Sequence, residues 1–428
     1  MSEREPRWLY PVLLALPFLA GIAVLKGLTV EIDTFHGSDA RVYHLPTIEH
    51  FAERLDFDGY PAAQTPLFHL LFAGWGELVG FEAWRLRLLN VAISYGMVLV
   101  LFRMLVAWVG LERRQAFALA LVFELSPYVF GASFTLLTDN LAILFGLLAL
   151  ERFGRFRQDG SLTTFALGCL AMSAAVLTRQ SFLWLAPVAA WALLGARPPV
   201  PRFAGGVAVG ALALAPFAAL VVLWGGLVPP GADPTSCGLC TDRPGVGRDA
   251  LTLRTLAFTV ALVGLYAAAL YGPTLLRRGR ELRRYLRPGA VGLPLAAGAV
   301  LLLLSPLEYK PVVPGVGGDA GYLWKLSDKA PVLASSSLLF WALMPLGVLA
   351  LWRLARRTGL DSLPVAYFAS FLAAALPVAL VYQKYFDPFA LLALALLARP
   401  TDWRAPFDYA GAAVLALGFV FYALSFAG

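Results

Sequence analysis

The stretch FAGGVAVGALALAPFAALVVL, Phe203 to Leu223, carries no charged side chain and no side-chain hydrogen-bonding group. As a helix its 21 residues rise about 31 Å, the thickness of a bilayer's hydrocarbon core. Working outward from it, similar apolar runs recur along all 428 residues, at 9–29, 88–110, 115–133, 137–151, 162–178, 181–196, 251–275, 289–305, 332–352, 361–381, 385–398 and 405–427. Hydrophobic residues make up 59% of the chain and charged residues only 14%, with mean hydropathy +0.72; a soluble domain is about a quarter charged. The expected fold is an all-α polytopic membrane protein of about thirteen transmembrane helices, a single integral membrane domain over residues 1–428. The run from Leu9 to Val30 lacks a small-residue cleavage site and reads as a retained first helix.

The net charge of +7 is explained by placement and does not signal nucleic-acid binding. Arg4, Arg7, Arg113, Arg114, Arg152, Arg155, Arg157, Arg197, Arg202, Arg277, Arg278, Arg280, Arg283, Arg284, Arg353, Arg356, Arg357, Arg399 and Arg404 fall on one face if the runs alternate across the bilayer. That is roughly twenty of 34 Lys and Arg residues, so the positive-inside rule makes this face, with the N-terminus, cytoplasmic. Only two Asn occur in a chain rich in Ala, Leu, Arg and Gly, a composition that points to a prokaryotic plasma membrane.

The same alternation leaves four segments outside: 30–87, the turn at Thr138-Asp139, 224–250 and 306–330. The first holds all four histidines, His36, His44, His50 and His69, with Glu31, Asp33, Asp39, Glu49, Glu53, Asp56 and Asp58. Titratable groups kept beside a bilayer mark chemistry or recognition. Within this long first extracytoplasmic loop, His44 to Leu55 is amphipathic, with Leu45, Ile48, Phe51, Ala52 and Leu55 on one helical face. Phe68 to Phe81 is apolar enough to lie along the interface. Cys237 and Cys240 form a lone CxxC, short of the four ligands of a structural zinc site, and read as a small loop disulfide or two thiols. Cys169 reads as helix packing.

Four positions carry candidate chemistry. Asp39 follows the first span; it either takes a proton from an attacking hydroxyl or caps the next helix. Asp139, in Thr138-Asp139-Asn140, stands at the outer end of an apolar helix, where Thr138 or Asp139 also suits an N-cap. Arg179, in Thr178-Arg179-Gln180, interrupts two apolar spans and can hold a phosphate through paired N–H donors, or snorkel to the headgroups. Lys384, in Gln383-Lys384-Tyr385-Phe386-Asp387-Pro388, is a second cation at a break on that face. No Gly-rich nucleotide loop, HExxH or GxSxG is present.

Taken together, these pieces resemble the polyprenyl-phosphate-sugar-dependent GT-C glycosyltransferases, most nearly the dolichyl-phosphate-glucose α-1,2-glucosyltransferases of N-glycan assembly. The matching pieces run in order from Asp39 through Tyr43-His44-Leu45-Pro46, Gln64-Thr65-Pro66, Thr138-Asp139, Arg179-Gln180-Ser181-Phe182-Leu183-Trp184 and Trp224-Gly225-Gly226-Leu227-Val228 to Gln383-Lys384-Tyr385-Phe386-Asp387-Pro388. The Arg-Gln-x-x-x-Trp and Lys-Tyr-Phe-x-Pro blocks are the more specific. The chain departs from the family in three places. Asp39 is followed by Ala40-Arg41 where the family has Asp-Glu, His44 stands five residues after Asp39 rather than four, and Lys384 replaces a late arginine.

The resemblance implies a GT-C-like helical bundle and an inverting transfer of a monosaccharide, glucose favoured, to a hydroxyl of a glycan or glycolipid. The donor is a sugar linked to polyprenyl phosphate in the membrane. Asp39 would be the base, and Arg179 and Lys384 would bind the donor phosphate. His44, Asp139, Gln180 and Tyr385 would orient substrate. No metal or other cofactor is implied, and membrane lipid is the surrounding partner. Mannosyl or arabinosyl transfer, a lipid-glycan polymerase or ligase, and a lipid-glycan flippase or transporter are the alternatives.

Overall fold

The computed structural model describes residues 6–23, 39–196, 199–232, 252–279, 288–311, 319–359, 362–376 and 381–424. Glu31, Asp33, His36, Cys237 and Cys240 lie outside these, as do 233–250 and 312–318. The helices in chain order are α1 (Leu9–Ala23), α2 (Leu45–Glu53), α3 (Leu67–Val79), α4 (Ala83–Ala107), α5 (Arg113–Leu125), α6 (Pro127–Phe134), α7 (Asp139–Asp159), α8 (Leu162–Thr178), α9 (Leu185–Ala196), α10 (Val200–Trp224), α11 (Arg254–Arg277), α12 (Pro288–Leu304), α13 (Tyr322–Asp328), α14 (Leu338–Thr358), α15 (Leu363–Ala375), α16 (Asp387–Leu396) and α17 (Ala410–Leu424). Each of the thirteen apolar runs carries a helix. Among the described residues, five are long and apolar enough to cross a membrane alone, and α5 with α6 makes a sixth if that broken pair is one span. The other apolar runs hold shorter helices, α1, α8 and α15 among them. This is a mostly helical integral membrane protein.

Contacts divide the chain into two compact units, one of Met1–Trp108, Val129–Cys237 and Phe419–Gly428, the other of Val109–Tyr128 and Gly238–Gly418. In the first, α7 packs along α8, and α4, α9 and α10 pack against that pair. Gly160, left-handed at φ +62°, ends α7, and the Ser161 hydroxyl accepts from the Thr164 N–H to start α8. Only 11% of the α10 apolar window is buried, so its all-round apolar surface meets lipid.

In the second unit α11 is the central helix, 67% buried over its window, and packs on α14 and α16. Two glycines permit the crossing with α14. A Cβ on Gly264 would sit 2.1 Å from the Leu343 carbonyl oxygen, and one on Gly347 would sit 1.9 Å from that of Val260. Small residues let apolar helices approach backbone to backbone where dispersion replaces the hydrophobic drive.

Two local features differ from the sequence reading. The run expected as helix from 332 opens as a hairpin, β1 (Val332–Leu333) paired antiparallel with β2 (Ser336–Ser337). Ala334 and Ser335 form its turn at φ +47° and +60°, the double left-handed geometry of a two-residue hairpin. The helix starts only at Leu338, because the short polar Ser335-Ser336-Ser337 run has no apolar face to bury. In the first loop, Ile48 and Phe51 of α2 are buried as the periodicity predicts, but Leu55 lies beyond the helix end and is exposed.

Candidate functional site: an arginine–carboxylate centre

The sequence pieces scattered through the first unit meet in space. Arg179 ends α8 in extended conformation (φ −155°, ψ 111°), before a 3-10 turn over Gln180–Trp184. Its Nη1 donates to Asp139 Oδ1 at 2.6 Å and to Thr138 Oγ1 at 3.5 Å, and both ionic side chains are largely buried. Thr138 precedes α7 and makes no side-chain cap bond. Thr138 is thus the N-cap by position without a side-chain cap bond, and the Asp139 carboxylate sits in the first turn of α7, where the helix dipole favours a negative charge.

Gln180 fastens the arginine's neighbours. Its Nε2 donates to the Ala63 carbonyl at 2.6 Å and to that of Leu227 at 3.4 Å, and its Oε1 accepts from the Thr65 N–H. Thr65 Oγ1 donates to the Val176 carbonyl. Trp224 Nε1 donates to the Phe57 carbonyl at 2.7 Å, and its ring meets Tyr60 edge-on. The Gln64-Thr65-Pro66, Thr138-Asp139, Arg179-Gln180 and Trp224–Val228 pieces thus form one hydrogen-bonded assembly. The Gln180 amide bridges these backbones.

The chain's only two asparagines stand behind this centre. Buried Asn90 donates through Nδ2 to the Ala132 and Thr135 carbonyls at 2.6 Å each. Buried Asn140 donates to Ser94 Oγ, Ser133 Oγ and the Val129 carbonyl. The backbone between α6 and α7 is thereby held by side-chain amides. Sequence reading passed over both, although two Asn in a chain of this length is itself a signal.

Asp39 is half-buried and helical (φ −59°, ψ −43°), and it too precedes its helical turn without a side-chain cap bond. Ala40–His44 is a π turn in which the Leu45 N–H reaches the Ala40 carbonyl. Closure from i to i+5 brings residues five apart onto one face, as i to i+4 does in an α-helix.

Two of the four histidines meet. His44 Nδ1 and His69 Nε2 are 2.9 Å apart, both rings buried and stacked at 5.2 Å between centroids. Burial, and secondarily the charge of His44, hold His69 well below the ordinary imidazole pKa. Nδ1 of His69 makes no hydrogen bond among the described residues. A buried orphan N–H is rarer than an orphan acceptor, which favours the arrangement with the shared proton on His69 Nε2. His50 turns elsewhere, to the Asp56 carbonyl at 3.0 Å. Glu49, Glu53 and Asp58 are exposed, and for them the solvated-loop reading holds.

The second unit holds Lys384 and Tyr385 on a 3-10 turn, Gln383–Tyr385. Lys384 Nζ lies 5.1 Å from the Tyr385 ring centroid, a cation–π contact. Fully buried Gln383 anchors the turn: its backbone N–H donates to the Ala320 carbonyl, its Oε1 accepts from the Leu323 N–H, and its Nε2 donates to Asp387. Buried Asp387 also accepts from Ser126, Tyr266 and Tyr322. Ala320 in turn follows Asp319, a fully buried carboxylate held by both Nη atoms of Arg254 and by the Lys310 N–H. Asp387, Asp319 and Arg254 were not singled out from sequence, because their partners come from distant segments.

Among the described residues no group of three His, Cys, Asp or Glu side chains is placed to hold a metal. No family model and no curated protein matches this chain. Among solved structures, ArnT from Cupriavidus metallidurans bound to undecaprenyl phosphate is similar at 16% identity over 96% of this chain and 78% of that one, with a TM-score of 0.43. Its apo state gives 16% identity, 95% and 77% coverage and a TM-score of 0.42. At that identity and score the likeness assigns neither fold nor ligand to this chain.

Proposed function

We propose that this protein is an inverting GT-C glycosyltransferase that moves a monosaccharide, glucose favoured, from a polyprenyl-phosphate donor to a hydroxyl of a glycan or glycolipid. The reading has thirteen spans, a cytoplasmic N-terminus and an extracytoplasmic site. The observation that carries it is the Arg179–Asp139 pair at a break between apolar helices, with its flanking segments tied together by Gln180. A guanidinium oriented by one carboxylate at the end of an apolar helix suits a lipid phosphate.

In the proposed step the acceptor oxygen attacks the anomeric carbon and gives its proton to Asp39. The bond from that carbon to the phosphate oxygen breaks, and polyprenyl phosphate leaves with the electron pair. Arg179 stabilises the leaving phosphate, and Asp139 holds the guanidinium in place. His44 orients the substrate. Lys384 is the second candidate cation for the donor phosphate, and Tyr385 restrains its ammonium.

The test is transfer by the purified protein from labelled polyprenyl-phosphate-glucose and, separately, polyprenyl-phosphate-mannose, with a membrane lipid extract as acceptor. Transfer from one donor that Asp39→Asn abolishes supports the reading and names the sugar. Undiminished transfer by a folded Asp39→Asn removes Asp39 as base. The carrier alternative has one observation in its favour: Glu124 of α5 is fully buried, and neither carboxylate oxygen is hydrogen-bonded within the described residues. Donor-lipid movement across vesicles without transfer would favour it.

A further inference from the structure

One turn of the second unit, Gln383–Tyr385, leaves Lys384 and Tyr385 half-buried while Gln383, Phe386 and Asp387 are buried. Fully buried Asp387, the first residue of α16, gathers the polar groups beneath the turn. Its Oδ1 accepts from Gln383 Nε2 at 3.0 Å, from the Tyr322 hydroxyl at 2.9 Å and from the Tyr266 hydroxyl. Its Oδ2 accepts from Ser126 Oγ at 2.5 Å. The two phenol hydroxyls also touch each other. The donors come from distant places in the chain: the residue after α5, the middle of α11, the first residue of α13 and the turn itself. Tyr322 is held in its turn by Tyr128, whose hydroxyl accepts from the Tyr322 N–H at 3.3 Å and whose ring stacks on it at 5.9 Å.

Such a cluster is costly where it lies. A carboxylate and three hydroxyls packed among apolar helices must each be satisfied, and apolar side chains of the same volume often hold such a core as firmly. Apolar packing tolerates slip, whereas hydrogen bonds converging on two oxygen atoms fix angle and distance. What the convergence fixes is the turn. Gln383 is tied through its N–H to Ala320, through its Oε1 to the Leu323 N–H at 2.9 Å and through its Nε2 to Asp387. The Phe386 N–H closes the turn on the Gln383 carbonyl at 2.9 Å. Lys384 stands within it, and the flexible lysine stem takes its origin from this backbone. Both Asp387 oxygens are occupied by neutral donors, so the carboxylate acts on the turn through hydrogen bonds.

We propose that Asp387 is a positioning residue for the donor lipid: through Gln383 it sets the place from which Lys384 meets the donor phosphate, by hydrogen bonding rather than by its charge. This rests on the sugar-transfer reading and deepens it, since it names what orients the second cation of that site. Asparagine separates hydrogen bonding from charge. With its Oδ1 toward Gln383, Tyr266 and Tyr322, its Nδ2 faces Ser126 Oγ, and a hydroxyl accepts as well as donates. Leucine, of similar size, offers no acceptor at all.

The test measures, on the full-length protein in detergent, the binding of polyprenyl phosphate and the kcat and donor KM of transfer. Wild type is compared with Lys384→Gln, Gln383→Leu, Asp387→Leu and Asp387→Asn. Lys384→Gln is expected to weaken polyprenyl-phosphate binding about tenfold, the worth of one charge-assisted hydrogen bond. Gln383→Leu and Asp387→Leu are expected to match it, raising KM about tenfold while kcat changes far less, and Asp387→Asn to restore most of the affinity. Gln383→Leu leaves the Ser126, Tyr266 and Tyr322 bonds to Asp387 in place, so it decides the matter if Asp387→Leu does not fold. Binding needs no acceptor, so that arm stands whether or not transfer is seen. Wild type that neither transfers sugar nor binds polyprenyl phosphate fails the sugar-transfer reading, and the role of Asp387 with it. Binding that Lys384→Gln weakens but Gln383→Leu leaves at the wild-type value overturns the role of Asp387 alone. An Asp387→Asn as impaired as the leucine variants overturns it, as does a loss of kcat and unfolding temperature in Gln383→Leu with KM unchanged. Binding untouched in Lys384→Gln removes the cation that Asp387 would place, and overturns it too.

Discussion

Replacing Arg254 by Met leaves the Asp319 carboxylate in a place it cannot tolerate. Asp319 is 0% and Arg254 12% exposed in side-chain area. The carboxylate accepts from both Nη atoms of Arg254 and from the Lys310 N–H at 2.9 Å. Arg254→Met takes away two charge-assisted bonds and the compensating charge, leaving a buried anion with one backbone donor. Such broken pairs cost about 3–5 kcal/mol. Asp319→Asn keeps the Lys310 bond and costs less, about 1.5–3 kcal/mol for weakened bonds to a charged partner. The double variant Arg254→Met/Asp319→Asn has no buried charge, so it should be more stable than Arg254→Met alone. The assay is reversible unfolding in mixed micelles, followed by ellipticity as dodecyl sulfate is added. Additive losses in the double variant, or a loss under about 1 kcal/mol in Arg254→Met, would refute the reasoning. Asp319 adjoins Ala320, whose carbonyl receives the Gln383 N–H, so Arg254→Met should also raise the KM for donor more than it lowers kcat.

Because the folded pKa of His69 is depressed, the unfolded chain takes up a proton that the folded one refuses. Stability is full above the ordinary imidazole value of 6.5 and falls below it, by up to about 1.4 kcal/mol per pH unit. His69→Phe should flatten the curve below the ordinary imidazole value of 6.5; matching slopes in the two proteins would show that His69 is not the group. Arg179→Ala should lower kcat/KM by about 10²–10³-fold with the fold retained, and Arg179→Lys should restore part of it by charge without the fork. Equal activity of wild type and Arg179→Ala would end its phosphate role. Gly347→Leu must displace the Val260 backbone and should cost about 3 kcal/mol or more, seen as loss of the monodisperse peak on fluorescence-detected size exclusion; an unchanged peak would mean that the α11–α14 crossing is looser than drawn.

The helices were legible because apolar runs such as Phe203–Leu223 leave the backbone one way to satisfy its hydrogen bonds in lipid. The 332–337 hairpin was not, since its turn uses Ala334 and Ser335 at positive φ, where glycine or asparagine would have given the signal. At the site, Arg179 and Asp139 were each picked out by standing at a break in apolar sequence. Their pairing was hidden, because an aspartate opening a helix looks the same whether it caps the backbone or faces an arginine. Asp387 was read only as part of a motif. What makes it central is four donors from Ser126, Tyr266, Tyr322 and Gln383, and spacing along a chain does not reveal such a convergence.

The π turn at Ala40–His44 makes this short segment a natural register buffer. Removing one residue from an ordinary helix turns everything beyond it by about 100° relative to what came before. Here the loss of Ala40 or Arg41 would convert an i to i+5 turn into an i to i+4 turn, with the aspartate and the histidine still on one face. A one-residue deletion is therefore expected to be better tolerated between Asp39 and His44 than within α2, which retained folding of an Arg41 deletion would check.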